Sequence, residues 1–287
     1  MKQILIIFIV IFLFYFNFEN IKSVETFKNK KKYLYVKNYD KKYGLSHQKS
    51  NFNVLLKYSY LNDFILLSPN FLLDSIHNNN KLKITNFSEY FNLDDVKINN
   101  KKLEIISNYK KIENILKKDK DNVEIINGKN LPMLFKNNSR FKNLKNVNIK
   151  MDYNKNLFDI ANFIIKKLGK YTCVHVRRGD RMGNDKYHNK ATSSDNIILK
   201  LKEIKSPKNV YIMTDEKKDN HFFKINYYYN LYLHSDFQIL KNIKKKDNYK
   251  LFCIENIIMN KASIKISTFK VKSKKYDTYL YEKSGWQ

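Results

Sequence analysis

The residues best equipped for chemistry in this 287-residue chain run from Thr172 to Asp180, in the order Thr-Cys-Val-His-Val-Arg-Arg-Gly-Asp. Thr172 to Val176 is apolar or β-branched except at His175, which predicts a buried strand. It stops at Arg177, Arg178, Gly179 and Asp180, residue types suited to a tight loop that holds an anion. In open α/β sheets ligands sit beyond the carboxyl ends of the strands. Two adjacent guanidiniums there can grip a phosphate bidentately. Gly179 lets the backbone turn close to a ligand, and Asp180 can orient an arginine or cap the next segment. The same residues also fit a surface Arg-Arg-Gly-Asp turn of a basic protein. An adhesion-type Arg-Gly-Asp loop is disfavoured by the buried strand before it.

Strands and helices alternate around this segment. Tyr33 to Val36 reads as a strand, followed by a loop at Tyr43-Gly-Leu-Ser-His-Gln48 and a helix from Asn51 to Tyr60. Phe64 to Leu67 reads as a second strand ended by Ser68-Pro69, so the three form a βαβ unit of a parallel sheet. Residues 78–150 are rich in Lys and Asn and give weaker patterns: a short helix at Asn86–Phe91, and strands at Leu103–Ile106 and Val123–Ile126. From residue 151 the pattern sharpens. Leu157 to Leu168 has helical apolar spacing closed by Gly169. A helix capped at Ser194-Asp195, a strand at Val210–Met213 ending in Thr214-Asp215-Glu216 and a short strand near Tyr232-Leu233 follow. The last elements are a helix from Leu251 to Lys261 and a strand Ile264–Ile266 that runs into Ser267-Thr268-Phe269. Three strands thus end in polar signatures able to meet at one sheet edge.

Composition bounds the reading. A hydrophobic content of 43% with 15% aromatic residues supports a real core and excludes global disorder. Only 6 Gly and 3 Pro exclude a collagen-like or linker-dominated chain. The formal charge of +28 invites a nucleic-acid reading. Its lysines, however, are scattered among Asn and Ile through every segment, as an AT-rich coding sequence imposes, so a nucleic-acid partner is not expected. Lys2 precedes an apolar run from Ile4 to Phe16, shorter than the roughly 18 residues of a spanning helix. It suits a signal peptide or signal anchor within residues 1–23, with Ser23 as a small residue for cleavage. Lys28, Lys30, Lys31 and Lys32 follow, against the positive-inside rule for a lumenal domain on an uncleaved anchor. Cleaved and anchored forms both stay open, and membrane association runs through this segment. Cys173 and Cys253 cannot build a disulfide framework; one bridge or two buried thiols both fit. Asn86-Phe-Ser88 and Asn137-Asn-Ser139 are glycosylation sequons, relevant only if the chain enters the secretory pathway.

His175-Val-Arg-Arg-Gly-Asp180 resembles the His-x-Arg-Arg-Gly-Asp motif of GDP-fucose-dependent fucosyltransferases, the protein O-, α1,2- and α1,6-enzymes. Gly44-Leu-Ser-His-Gln48 is similar to that family's Gly-x-x-Asn-Gln loop, and Phe64-Ile-Leu-Leu-Ser-Pro69 to the strand after it. Phe87-Ser-Glu-Tyr-Phe-Asn-Leu93, Val210-Tyr-Ile-Met-Thr-Asp-Glu216 and the stretch from Asn248 to Phe269 resemble later segments in the same order. The resemblance covers about residues 33–270.

It implies an α/β, GT-B-like fold: two Rossmann-type domains with parallel sheets facing a central cleft. Residues 33–150 would form an acceptor-side domain and 151–287 a nucleotide-sugar domain. It implies transfer of L-fucose from GDP-fucose to a glycan or glycoprotein hydroxyl with inversion, in the endoplasmic reticulum or Golgi lumen. GDP-fucose is then a substrate, and neither cofactor nor metal is implied; no metal-ligand spacing is visible either. Arg177 takes the position of the family's principal arginine and would neutralise the β-phosphate as it leaves. His175, Arg178, Asp180, Gly44, His47, Gln48, Thr214, Asp215, Ser267, Thr268 and Phe269 are the expected donor contacts. Thr214 and Asp215 fit a pocket lining and a plain strand end equally, Arg178 could point away along the strand, and His175 also fits a core histidine. His47 departs from the family, which has Asn there. No general base is assigned, His47 and Glu89 being weaker candidates. The alternatives are a GT-B enzyme for another nucleotide sugar, and a catalytically silent glycan- or polyanion-binding homologue.

Overall fold

Short apolar strands alternate with amphipathic helices, and the two four-stranded sheets pack against helices. The computed structural model describes residues 30–37, 39, 44–75, 78, 83–128, 147–178, 189, 192–216 and 218–267. The strands begin with β1 Tyr33–Lys37, β2 Ile65–Leu67, β3 Asn70–Leu73, β4 Lys83–Asn86, β5 Lys97–Ile98 and β6 Lys101–Lys102. They continue with β7 Ile105–Ile106, β8 Val123–Asn127, β9 Ile149–Lys150, β10 Tyr171–Val176, β11 Asn209–Thr214, β12 Asn230–Tyr232 and β13 Ile264–Ser267. The α-helices are α1 Leu45–Leu61, α2 Tyr109–Lys118, α3 Lys155–Leu168, α4 Ser194–Glu203, α5 Gln238–Lys246 and α6 Asn248–Lys261.

The chain divides into two compact units. The first comprises Met1–Tyr39, Asn51–Pro69 and Ile98–Ile149, the second Asp40–Ser50, Asn70–Lys97 and Lys150–Gln287. The last piece of the first unit ends at Ile149. Asp40–Ser50 and Asn70–Lys97, expected in the N-terminal domain, cluster instead with the second unit. Aromatic packing is the reason. Phe71 stacks on Phe87 with centroids 4.0 Å apart, Phe91 on Tyr153 at 5.4 Å, and Tyr153 meets Phe158 edge-on at 6.3 Å. Such pairs add about 0.5–1.5 kcal/mol each beyond the area they bury.

The first unit holds a parallel sheet in the order β7-β2-β1-β8, and the second a parallel sheet in the order β12-β11-β10-β13. Taken in chain order within its own sheet, each is 3-2-1-4, the arrangement of a Rossmann mononucleotide half. The first sheet packs Tyr33, Ile65, Leu67 and Ile106 against Ile112 and Ile115 of α2. The second packs Val174, Val176, Val210, Ile212 and Ile266 against Ile197, Ile198 and Leu201 of α4 and Phe222 and Ile225. All six residues of β10 are buried, as a central strand of a covered parallel sheet requires. Gly169 closes α3 with φ 63°, a left-handed value that favours glycine.

Both cysteines are buried free thiols. The Asn86 sequon side chain is engaged locally: its amide oxygen accepts from the Ser88 backbone N–H at 3.0 Å. Asn137 and the apolar N-terminal run lie outside the described residues. Among the described residues, no helix is long and apolar enough to cross a membrane.

Candidate active site at the ends of three parallel strands

In the parallel sheet of the second unit β10 is the first strand in sequence and β13 the fourth, so the order reverses between them. That switch point, beyond the carboxyl ends, is where doubly wound sheets bind nucleotides. The register sets His175 beside Ser267 of β13, and Val176 beside Thr214 of β11. The three polar strand ends therefore do meet at one edge. His175, Arg177, Arg178, Thr214, Asp215 and Ser267 are brought together there.

Successive side chains leave a strand on opposite faces, and the two arginines divide accordingly. The Arg178 side chain is 7% exposed and that of Arg177 22%. Each of the three Arg178 guanidinium nitrogens is engaged. Nε donates to Glu216 Oε2 at 2.8 Å, Nη1 to Thr192 Oγ1 at 2.6 Å, and Nη2 to Asn189 Oδ1 at 3.2 Å. Arg177 instead lies near Asp215, with Nε 4.0 Å from Oδ2. The other oxygen of Asp215 accepts the backbone N–H of Arg178. Two adjacent arginines ending β10 thus face two adjacent acids ending β11, one acid to each. Thr214 fastens the same edge, donating to Val176 O at 2.7 Å and accepting from Glu216 N at 3.0 Å. Ser267 is buried at the end of β13. Gly179, Asp180, Thr268 and Phe269 lie outside the described residues.

Burial and then the positive charge of Arg177 hold the His175 imidazole down to about 4, so it is neutral at physiological pH. A neutral imidazole can donate one hydrogen bond and accept another without adding charge. Helix α6 covers the sheet here and buries Glu255, whose Oε1 accepts from the Tyr211 hydroxyl at 2.9 Å. Burial pushes Glu255 up to about 8, against the hydrogen bond from Tyr211 and the charge of Lys244.

Gly44, His47 and Gln48 occupy the start of α1. The Gly44 carbonyl accepts the backbone N–H groups of His47 and Gln48, so the expected loop is the first turn of a helix that begins at Leu45. Gln48 is buried and donates to Leu72 O at 3.0 Å, while His47 is exposed. A Cβ on Gly44 would lie 3.6 Å from Asp74 Oδ2 and 4.0 Å from the Tyr249 hydroxyl, ordinary contacts that leave room for alanine. Asp74 follows β3, and Tyr249 belongs to the amino end of α6, where Asp247 caps the backbone N–H groups of Tyr249 and Lys250. Asp247 Oδ2 also accepts from Lys83 Nζ at 2.7 Å and the Tyr90 hydroxyl at 3.1 Å.

Glu89 joins that network, accepting from Lys83 at 2.9 Å and Thr85 at 2.6 Å, with Lys250 Nζ at 3.3 Å. Burial opposes its charge, but hydrogen bonds from Thr85 and Lys83 and the charges of Lys83 and Lys250 outweigh it. Its carboxyl is held below the usual range, which makes Glu89 a structural anion and a poor base.

Thr192, Asn189 and Glu216 were outside the expected set. Thr192 and Asn189 sit in a polar stretch with no periodic signal. Glu216 stands in the Thr-Asp-Glu motif, and its pairing with Arg178 could be read once the β10–β11 register was known.

No family model matches the sequence, and no curated protein matches it. Solved structures do. The fold is similar to POFUT1 in complex with GDP, with TM-score 0.51 and 12% identity over 82% of this chain and 90% of that one. It is similar to the POFUT1 apo-form with TM-score 0.50 and 11% identity, over 82% and 90%. NodZ alpha-1,6-fucosyltransferase soaked with GDP-fucose gives 0.44 and 9%, over 83% and 88%. Identity this low speaks to fold. The chain is an α/β protein of GT-B-like class with two Rossmann-type units. Its structural neighbours are fucosyltransferases, the family that the His-x-Arg-Arg-Gly-Asp motif resembles.

Proposed function

We propose that this chain is a glycosyltransferase that moves L-fucose from GDP-fucose to a hydroxyl of a glycan or glycoprotein, with inversion and without a metal. The observation that carries this reading is the position of Arg177. It follows the first strand of a Rossmann-type sheet at the switch point, partly exposed, with a neutral histidine two residues before it. The POFUT1 structure it resembles is in complex with GDP, a ligand of the kind such a strand end takes. Cleavage of the sugar C1–O bond leaves a diphosphate and an oxocarbenium-like sugar. Arg177 supplies the positive charge that grows in value as the β-phosphate takes the electron pair. His175 contributes a hydrogen bond near the donor and no charge of its own. Residues 1–23 direct the chain to the secretory pathway, as a cleaved signal or an anchor.

Labelled GDP-fucose with a panel of glycan and peptide acceptors tests the reading. Transfer by the native chain is expected, and Arg177→Ala should lower turnover at least about 10²-fold, the loss typical of a transition-state charge donor. Turnover with a UDP-sugar and none with GDP-fucose would overturn the donor assignment.

A further inference from the structure

We infer that Thr192 and Glu216, acting through the buried guanidinium of Arg178, and Asp215, acting through the Arg178 backbone N–H and its approach to Arg177, are positioning residues for Arg177. The inference rests on Arg177 being the donor contact and extends the site to the side chains that hold Arg177 in place. Its basis is a continuous set of contacts. Glu216 and Thr192 hold two nitrogens of Arg178 at 2.8 and 2.6 Å, and Asn189 holds the third at 3.2 Å. The Arg178 backbone N–H donates to Asp215, whose second oxygen lies 4.0 Å from Arg177 Nε. Thr192 is fixed in turn, its carbonyl 3.1 Å from His221 Nε2 and its side chain fully buried. The peptide that carries Arg177 is therefore gripped on its carboxyl side by a buried charged side chain bonded at all three of its nitrogens.

Placement is what this grip supplies. A charge contact to a diphosphate works only within about 0.5 Å of its productive position, held by residues whose own rotamers are locked. Arg177 lies just past the end of β10 and has to be held there. The neighbouring acids do that: Asp215 orients its guanidinium, and Glu216 keeps Arg178 from competing with it. An arginine in the Arg178 position left unpaired would be a second mobile cation beside the donor.

Thr192→Val tests this, because it is nearly isosteric and removes the side-chain acceptor of Arg178 Nη1 together with one long 3.4 Å bond from the hydroxyl to Asn189 O. GDP affinity is measured by calorimetry for the native chain, Thr192→Val, Arg177→Lys (which keeps a weaker, measurable site) and the double variant. Thr192→Val should weaken GDP about tenfold. In the Arg177→Lys background it should add almost nothing, since residues acting through one another are not additive. Losses that multiply would show a general structural effect and overturn the inference, as would native affinity in Thr192→Val. Should Thr192→Val not fold, Glu216→Gln enters the same cycle. Native protein that fails to bind GDP would remove the donor assignment and this inference with it; native binding with multiplying losses removes only the inference.

Discussion

At the residue scale, two buried groups have folded values moved well away from their usual ones, and each gives the fold a pH dependence of known sign. His175 has a depressed folded value, so the unfolded chain takes up its proton first. Its contribution is complete above the unfolded value of 6.5 and is lost as pH falls through about 4. The full swing is worth roughly 3 kcal/mol at 1.36 kcal/mol per unit. His175→Gln should flatten the stability loss across that window, read as urea midpoints against pH. Glu255 is the converse case, with its folded value raised. Its contribution is complete below 4.5 and is lost as pH rises through about 8. Glu255→Gln, which keeps an acceptor for Tyr211, should melt higher than the native chain at pH 8.5 and gain little at pH 5. An unchanged melting profile would mean that the carboxyl reaches solvent.

At the element scale, helix α6 ties the two sets of expected site residues to one structure. Its amino end meets Gly44 and the β3–β4 hairpin, and its carboxyl end leads into β13 and Ser267. Asp247 holds the amino end by capping two backbone N–H groups and pairing with Lys83. Asp247→Ala removes a cap worth about 1 kcal/mol and also leaves Lys83 short of an anion, so a fall of several degrees in melting temperature is expected. Asp247→Asn keeps the cap and should lose less. The same helix shows where the sequence was legible. Leu251, Ile254, Ile257 and Ile258 announced it, but its start at Asn248 depended on a cap that the apolar pattern does not contain. Helix α1 starts six residues before the expected Asn51 for a related reason, because Gln48 is buried through its bond to Leu72. A buried polar side chain is invisible to hydrophobic periodicity. Helices α2 and α5, rich in lysine, and the β3–β4 hairpin were missed because their apolar faces are narrow. The strand ends were legible because Rossmann-type sheets place polar residues after apolar runs. The division of labour between Arg177 and Arg178 was not, since it follows from strand alternation and the β11 register.

At the scale of the whole molecule, two units repeat one strand order, and only the second carries paired arginines at its switch point. The formal charge of +28 does not explain that placement, since the lysines are spread through the chain while the two arginines are anchored by two acids. The account therefore predicts selective nucleotide binding rather than general attraction to polyanions. The most direct measurement is the melting temperature of the full chain with GDP, UDP or inorganic diphosphate, at physiological salt and millimolar ligand. A ligand present at 100 times its dissociation constant stabilises the native state by about 2.7 kcal/mol, a rise of several degrees for a chain of this size. A rise with GDP that UDP and diphosphate do not match is the predicted result. Equal shifts with all three, or none with GDP, would contradict the account.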